Sequence, residues 1–206
     1  MAVLAPSRGR PVDAAKRAAV IAAAQQLFSR SGFTGASMNA IAKAAGATKL
    51  TVYRNFGSKQ DLFAEAIRLK CEAMLAGDDR QVVYADPRTA LVAFGQAFLR
   101  LIHSEEALGV HRLIVAERER NPQLGQLFHD NAIEPTRQRL ALLLGQLGTG
   151  GSEPQLGARD LLMLWRGWPA MHFDLSLSPL SQADLDSHVD HCVDLCLSSW
   201  SSAQKT

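Results

Sequence analysis

This chain of 206 residues has few cysteines, no long apolar run and few acidic residues near its N-terminus. Its three cysteines are an odd number without the spacing of a disulfide framework, which indicates a reducing compartment. No apolar run approaches the roughly 20 residues of a bilayer-spanning helix, and MAVLAPSRGRP has too short an apolar segment for a signal peptide. A globular, cytoplasmic protein is therefore expected.

The motifs of common enzyme classes are missing as well. The sequence has no G-x-S-x-G, H-E-x-x-H, C-x-x-C or P-loop motif. The glycines between 145 and 151 fail the dinucleotide-binding spacing and follow a helical pattern, so they indicate a loop. We therefore expect no catalytic residue and no cofactor, and a small helical enzyme is the least favoured alternative.

Helical periodicity runs through the chain, and no segment alternates apolar and polar residues with β-branched enrichment. The predicted fold is therefore all-α, with about nine helices. A first helix is expected from a cap at Asp13 to about Ser31, and a connecting helix over 58–76 is expected to begin at the capping residue Ser58. Pro135 lies inside another long helical pattern, which it either kinks or divides.

Residues 37–63, SMNAIAKAAGATKLTVYRNFGSKQDLF, carry the clearest functional signal. Ser37 is a suitable N-cap, and Ile41 and Ala42 then lie on one apolar helical face. Gly46 follows at a point where a tight turn between two crossing helices favours a residue without a Cβ. This is the helix-turn-helix pattern, whose second helix enters the major groove of DNA.

The charge distribution supports this interpretation. Residues 1–60 contain nine Lys or Arg and one acid, which is a formal charge of +8. Because the whole chain carries +2, residues 61–206 carry −6. Charge runs are usually solvated surfaces or disordered tails. This one coincides with a DNA-reading motif, which favours phosphate binding.

The N-terminal part of the chain resembles the tetracycline-repressor (TetR) family of bacterial regulators. The resemblance is carried by Phe33 and Ser37, by IAKAAG at 41–46 and by TVYRNFGSK at 51–59. The segment 111–140 is also similar to the C-terminal domain of the AefR-like and AcrR-like branch. The resemblance implies a sequence-specific transcriptional regulator, most often a dimeric repressor that a small-molecule effector releases from a palindromic operator.

Three regions are expected on this basis. Residues 1–12 would form a flexible basic arm, and residues 13–57 would form the helix-turn-helix DNA-binding domain. Residues 58–206 would form the ligand-sensing and dimerisation domain, which begins with the connecting helix over 58–76. A helix-turn-helix domain needs only about 60 residues, so the remaining helices imply sensing and oligomerisation.

The resemblance assigns the base-reading positions to the second helix of the motif. Lys49, Leu50 and Thr51 are expected to face base edges, with Lys49 donating to guanine. Relatives commonly have glycine where this chain has Leu50, and its apolar side chain suits a thymine methyl group. Asn39 matches a base-contacting position of the preceding helix, and a capping role for it is equally open.

The other polar residues of the motif are assigned to phosphates. A tyrosine hydroxyl and a lysine at a helix start suit this work, because a helix N-terminus presents free N–H groups to an anion. Thr48 is expected to cap the recognition helix and to touch phosphate, and Arg54 is expected to reach phosphate or base. The phosphate set is Tyr53, Asn55 and Lys59, with Arg8, Arg10 and Arg17 following the backbone or entering a minor groove unless that arm is disordered.

The helices after residue 76 are expected to hold a ligand. Ligand pockets are mostly apolar, and the acidic C-terminal part favours a neutral or cationic lipophilic effector. Plain core packing is the alternative for each large apolar side chain. The expected pocket walls are Phe94, Phe98, His111, Phe128, Trp165, Trp168 and His172, together with Met171 and Phe173.

A homodimer is expected through the last two helices, predicted over 155–175 and 181–202, as in the family. The final helix has a broad apolar stripe suited to a partner helix, formed by Leu185, Val189, Cys192, Val193, Cys196 and Trp200. His188, Cys192 and Cys196 are spaced i, i+4 and i+8, as on one face of a metal site. A dimer seam that uses cysteine as a small apolar residue is favoured, and no metal is predicted.

Two alternatives to the specific repressor stay open at this point. A non-specific architectural protein would bind random duplex nearly as well as any chosen site, with an affinity controlled almost wholly by salt. Activation instead of repression is the second alternative.

Overall fold

The computed structural model describes residues 10–75, 86–149 and 153–203, with side chains described over 14–73, 86–149 and 153–201. Every regular element in these ranges is helical, which confirms the predicted fold class. No helix in these ranges is both long and apolar enough to cross a membrane. The elements are α1 (Arg10–Gly35), α2 (Met38–Ala44), α3 (Lys49–Phe56), α4 (Lys59–Leu75), α5 (Pro87–Ile102), α6 (Glu105–Glu117), α7 (Gln123–Phe128), a π-helical segment (His129–Ile133), α8 (Glu134–Gln146), α9 (Pro154–Asp174) and α10 (Gln182–Ala203).

The helical stretch from 123 to 146 is interrupted only by its π-helical segment. Counted as one helix, it brings the described part of the chain to nine helices, which is the predicted number. Pro135 lies in the first turn of α8, directly after the π-helical segment. Proline has no N–H to donate to the carbonyl four residues earlier. Thr136, the next residue, donates its Oγ1–H to the Ala132 carbonyl at 2.7 Å. The proline therefore divides the pattern, one of the two predicted outcomes.

The predicted start of α4 agrees with the structure, and the predicted start of α1 does not. The first helix begins at Arg10, so the prediction that Asp13 caps it was wrong, and residues 1–9 lie outside the described residues. Gly32 interrupts α1 with a left-handed φ of 70°, next to the predicted end at Ser31. The prediction for Ser58 is confirmed, because its Oγ accepts the Asp61 N–H at 3.0 Å as α4 begins.

The chain divides into two compact units. Within the described residues, the first unit comprises 10–69 and 105–128. Three phenylalanine rings form its centre: Phe28 stacks on Phe33 at 5.8 Å, and Phe63 meets both rings edge-on at 5.2 and 5.4 Å. Such edge-to-face pairs add to the stabilisation that apolar burial provides. This aromatic centre fixes α1 and α4 around the helix-turn-helix.

The second unit comprises the described parts of 70–104 and 129–206. Its core lies between α5, α8, α9 and α10 and is built from aliphatic and aromatic side chains. Arg88 joins α5 to α10 at the surface, because its guanidinium pairs with Asp190 at 2.9 Å and with Asp194 at 2.6 Å. The residues buried completely in this core are Leu91, Leu140, Leu144, Ala158, Leu161, Trp165, Val189 and Val193.

Candidate functional site

The turn between α2 and α3 is fixed by local hydrogen bonds. Ser37 caps α2, since its Oγ accepts the Ala40 N–H at 3.1 Å. Gly46 follows the helix with a φ of +60°, a conformation that glycine adopts without steric cost. Thr48 then caps α3, because its Oγ1 accepts the Thr51 N–H at 3.1 Å. Both predicted caps are confirmed, and they set where the second helix of the motif begins.

The outer face of α3 is polar at its ends and apolar in between. Val52 is buried completely and anchors the helix, so the opposite face points to solvent. Leu50 is 77% exposed, the most exposed of the large apolar side chains in the described residues. Lys49 and Arg54 are exposed on either side of it. Burial of Leu50 against a thymine methyl group would recover apolar contact that the protein itself does not supply.

Lys49 and Tyr53 form a pair on this face. The Lys49 ammonium group lies 5.7 Å from the centre of the Tyr53 ring, one helical turn away. This distance is within the range of a cation–π contact, and Tyr53 is 42% exposed. Thr51 is half-buried, and its Oγ1 lies 2.8 Å from Thr48 Oγ1.

Asn39 and Asn55 differ in their exposure and in their contacts within the protein. Asn39 is the second residue of α2 and is exposed, while Ser37 supplies the cap. Asn55 is half-buried, and its side-chain amide donates to the Thr51 carbonyl at 2.8 Å. Asn55 thus has a contact inside its own helix that the assignment to phosphate did not anticipate.

Lys59 is held inside the first unit. Its ammonium group donates to the carbonyls of Phe33 at 2.8 Å and Ala36 at 3.1 Å, and it lies 4.3 Å above the Phe33 ring. Burial lowers the pKa of Lys59, and the nearby Glu117 carboxylate opposes that shift. Two of its three N–H groups are therefore used to fasten the start of α4 to the connection between α1 and α2. The sequence assigned Lys59 to phosphate and gave no sign of this structural contact.

Arg17 is also engaged within the protein. Its guanidinium donates to the Glu65 carboxylate at 2.7 Å and lies 5.1 Å from the Phe56 ring centre. These contacts tie α1 to α4 and were not anticipated for Arg17, whose expected contact with DNA stays a prediction. Arg8 lies outside the described residues, as does the side chain of Arg10. The exposed basic residues of this unit include Lys16, Arg30, Lys43, Lys49 and Arg54.

Three of the predicted pocket residues come together in the second unit. The Trp165 ring is stacked on Phe94 at 6.1 Å and lies 6.2 Å from Phe98. Gly95 makes this approach possible, because a Cβ at that position would lie 2.7 Å from Trp165 Cε2. Trp165 is buried completely, yet its Nε1 has no hydrogen-bond partner among the described residues.

The remaining pocket candidates lie elsewhere. Trp168 is 56% exposed and Met171 is 50% exposed, so both lie outside the buried core, and their place in a ligand pocket stays a prediction. His172 is half-buried beside Trp168, with the two rings 5.2 Å apart, and Phe173 is half-buried. His111 and Phe128 belong to the first unit and are half-buried there.

Two known protein-domain families match this chain. "Bacterial regulatory proteins, tetR family" matches residues 20–66, and "AefR-like transcriptional repressor, C-terminal domain" matches residues 89–201, which is more than half of the chain. The chain belongs to the TetR family. It is therefore a DNA-binding transcriptional regulator of the kind predicted, and this family consists of regulators, not enzymes.

Solved structures of other TetR-family members agree with this assignment. The "Flavonoid-responsive Regulator FrrA" is 31% identical, with 89% of this chain and 96% of that chain covered and a TM-score of 0.72. A putative TetR-family regulator from Mesorhizobium loti is 26% identical, with 94% and 98% covered and a TM-score of 0.74. A TetR regulator from Agrobacterium tumefaciens, at 19% identity, 90% and 94% coverage and a TM-score of 0.74, shows the fold alone. Among curated protein sequences, none matches this chain.

The residues predicted for the dimer interface of this TetR-family chain are core residues. Val189, Cys192, Val193 and Cys196 are all buried inside one subunit, against α5 and α9. Leu185 and Trp200 are half-buried and pack against the same core. These four buried side chains leave little surface for a second subunit to contact, whereas a dimer contact through Leu185 and Trp200 stays a prediction.

Six of the exposed large apolar side chains lie on α9, counting its C-terminal cap Leu175. Its exposed members recur at helical spacing and share one face of the helix. From the sequence, the dimer was expected through both final helices, but interface residues were named on the last helix alone, and Trp168 and Met171 were assigned to pocket walls. The face comprises Leu156, Met163, Leu164, Trp168, Met171 and Leu175 and is called the α9 face below.

His188 contacts backbone carbonyls of α9, and the two cysteines of α10 are buried in the core. His188 Nε2 lies 3.1 Å from the Leu164 carbonyl and 3.2 Å from the Trp165 carbonyl. Burial raises the pKa of Cys192, and burial is also the main cause that raises the pKa of Cys196 to about 11. Within the described ranges, no group of three or more His, Cys, Asp or Glu side chains is placed to hold a metal ion.

Proposed function

We propose that this TetR-family regulator is a cytoplasmic homodimer that represses transcription at a palindromic operator and leaves it when a small lipophilic effector binds. The outer face of α3 carries this proposal. It combines an exposed lysine, an exposed leucine and an exposed arginine on a helix whose opposite side is anchored by Val52. A helix of this kind reads base edges in the major groove.

The side chains of the motif divide into two roles in this proposal. Lys49, Leu50 and Thr51 read bases, with Asn39 adding a contact from α2. Phosphates are bound by Thr48, the N-cap of α3, and by Tyr53 in its second turn, while Arg54 reaches phosphate or base. Asn55 and Lys59 reach phosphate only with the N–H groups that their internal contacts leave, so their main contribution is to hold the motif in shape.

Dimerisation is proposed through the α9 face. An exposed apolar patch of this extent is unusual on a monomer and is typical of an interaction surface. A second copy of the same helix would cover it by a two-fold contact, which also matches the symmetry of a palindromic operator. In this scheme residues 13–57 bind DNA and the helices within 58–206 sense the effector and form the dimer.

The effector is proposed to be a neutral or cationic lipophilic molecule that carries aromatic rings. Support comes from the buried aromatic side chains of the second unit and from the relative named as responsive to flavonoids. Binding would favour a conformation with low operator affinity, and operator binding would weaken effector binding by the same factor.

The experiment that tests the proposal is a selection of random duplex DNA on the purified full-length protein, followed by sequencing of the bound pool. An enriched palindrome is the expected result. An equal affinity for all sequences, with a steep fall as salt rises, would instead identify an architectural DNA-binding protein. Transcription from a promoter that carries the selected site then distinguishes repression from activation.

A further inference from the structure

Gly167 lies inside α9 at a position where the subunit itself has no need of glycine. The helix has 21 residues, and Gly167 is exposed on it. Glycine inside a helix is destabilising relative to alanine, because its backbone loses more conformational freedom on folding. A Cβ at position 167 would meet no atom of the described residues within 4 Å, so a larger side chain has room there. Packing within one subunit therefore does not account for this glycine.

Other glycines inside helices have a reason within the subunit. A Cβ at Gly95 would lie 2.7 Å from neighbouring side-chain atoms, and a Cβ at Gly109 would lie 3.0 Å from one, so both glycines allow close packing. Gly145 has open space around it, but it lies in the last turn of α8, two residues before the cap. Glycine costs little at the end of a helix, where the chain leaves the helical conformation. Gly167 has neither of these explanations.

The surroundings of Gly167 are the centre of the α9 face. Met163 precedes it by four residues and Met171 follows it by four, and these side chains are 53% and 50% exposed. Residues four apart lie in one row along a helix. Leu164 and Trp168 are exposed in the neighbouring row. The missing side chain therefore leaves a notch in a ridge of large apolar groups, and a notch of this kind admits another backbone closely.

The size of the α9 face fits a second copy of the chain. Its six large apolar side chains are each between 38% and 62% exposed. Together they leave on the order of 500 Å² of apolar surface. Two copies would bury on the order of 1,000 Å² through this face alone, which is the area that a specific interface needs.

The arrangement around the notch is also that of a self-complementary contact. Asp160 and Asp174 are exposed seven residues to either side of Gly167, so an apolar centre lies between polar positions, as in protein interfaces. A two-fold axis brings the same patch of both subunits together. The notch of one copy then meets the notch of the other, and two backbones approach at a single point.

We propose that the α9 helices of two subunits cross at Gly167, which is the point of closest contact in the dimer. This inference deepens the proposed function and rests on its homodimer. It adds the residue that sets the crossing point. Without side chains at this point, the two helix axes lie closer than the roughly 8–10 Å of ordinary helix pairs.

Replacement of Gly167 by alanine tests the proposal, because the two readings of this glycine predict opposite effects. At a helix crossing, Gly167→Ala adds a Cβ from each subunit and should raise the dissociation constant of the full-length dimer about tenfold. At an ordinary exposed position it would only stabilise the helix. Gly145→Ala is the matched control and should leave the dissociation constant within about twofold. Sedimentation over a dilution series measures both constants.

A disulfide cross-link tests the crossing point itself. Two cysteines form a disulfide only when their Cα atoms lie about 4.4–6.8 Å apart. Gly167→Cys, oxidised mildly at a concentration above its dissociation constant, should therefore give a covalent dimer on a non-reducing gel. Wild type and Gly145→Cys contain the same three native cysteines and should give none.

Three results would overturn the inference. They are a dimer as tight in Gly167→Ala as in wild type, no covalent dimer from Gly167→Cys, and a monomeric wild type. In the first two cases a wild type that sediments as a dimer and enriches a palindrome from random DNA would keep its proposed function. A monomeric wild type that enriches no palindrome would count against the proposed function as well, so the two failures are distinguishable.

Discussion

His188 donates to a carbonyl that Pro169 leaves without a helical partner. In α9 the Trp165 carbonyl would normally accept the N–H of residue 169, but proline has none. His188 Nε2 lies 3.2 Å from this oxygen and 3.1 Å from the Leu164 carbonyl. Because a carbonyl can only accept, Nε2 carries the proton here. A side chain of α10 thus replaces a backbone hydrogen bond that α9 lacks at the Trp165 carbonyl.

Replacement of His188 should therefore destabilise the protein in a way that depends on Pro169. His188→Ala leaves the buried Trp165 carbonyl without a donor and is expected to lower the free energy of unfolding by about 1–3 kcal/mol. In a Pro169→Ala background the restored N–H can satisfy that carbonyl, so the cost should be smaller. Urea unfolding of the four proteins of this double-mutant cycle measures the coupling. Additive effects would contradict the assigned relationship.

Lys59 should behave as a structural residue. Lys59→Ala removes the donor for the Phe33 and Ala36 carbonyls and is expected to cost about 1–3 kcal/mol of unfolding free energy. Lys16→Ala, at an exposed lysine of the same unit, is the control and should change stability by less than about 0.5 kcal/mol. Thermal or urea unfolding gives both values. If the two variants are equally stable and only Lys59→Ala loses DNA affinity, Lys59 binds phosphate and is not a structural residue.

Lys49 and Leu50 should govern which sequence is bound. Lys49→Ala is expected to relax the preference at one base pair of each half-site, and Leu50→Ala to relax it at a pair whose thymine methyl the leucine covers, each by about 1–3 kcal/mol of discrimination. Tyr53→Phe should weaken binding to all sequences alike, since a phosphate contact carries no base information. The measurement is a repeat of the random-duplex selection with each variant. Unchanged preferences for Lys49→Ala and Leu50→Ala would remove α3 from base reading.

The α9 face should hold the dimer together. Met163→Glu combined with Met171→Glu places two charges in this apolar face, and desolvation of an unpaired charge on association is costly. The variant is expected to sediment as a monomer and to lose most of its operator affinity while it keeps its helical content. Leu142→Glu introduces the same charge at an exposed leucine of α8 and serves as the control. A dimer that persists in the double variant would place the interface elsewhere.

Glu65 should make the free energy of unfolding depend on pH in the acidic range. The hydrogen bond from Arg68 is the main cause that lowers the pKa of Glu65, with Arg17 adding to it and burial opposing it. Because the folded pKa lies below the unfolded value, the stabilisation is complete above the unfolded pKa and is lost as pH falls through the folded one. The difference in unfolding free energy between wild type and Glu65→Gln should therefore be largest near neutral pH and shrink below about pH 4. Glu119→Gln, which removes a carboxylate whose side chain is 84% exposed, is the matched control.

The helix-turn-helix was predictable because its signals are local. Ser37, Gly46, Thr48 and Ser58 act on backbone groups within a few residues of themselves, so their types and spacing predict caps and turns without knowledge of the rest of the fold. The all-helical class followed from apolar periodicity in the same way. The family match then extends over both halves of the chain.

Only the tertiary structure decided which apolar faces turn inward. The sequence shows an apolar stripe on α10 and another on α9, and periodicity cannot say which one meets the neighbours within the subunit. Packing against α5 buries Val189 and Val193, which were predicted for the dimer interface, while Met171, which was predicted for a pocket wall, is exposed. The contacts of Lys59 and His188 were also decided by the tertiary structure. Their partners are carbonyls 23 to 26 residues away in the chain, so their contacts arise from helix placement and not from local sequence.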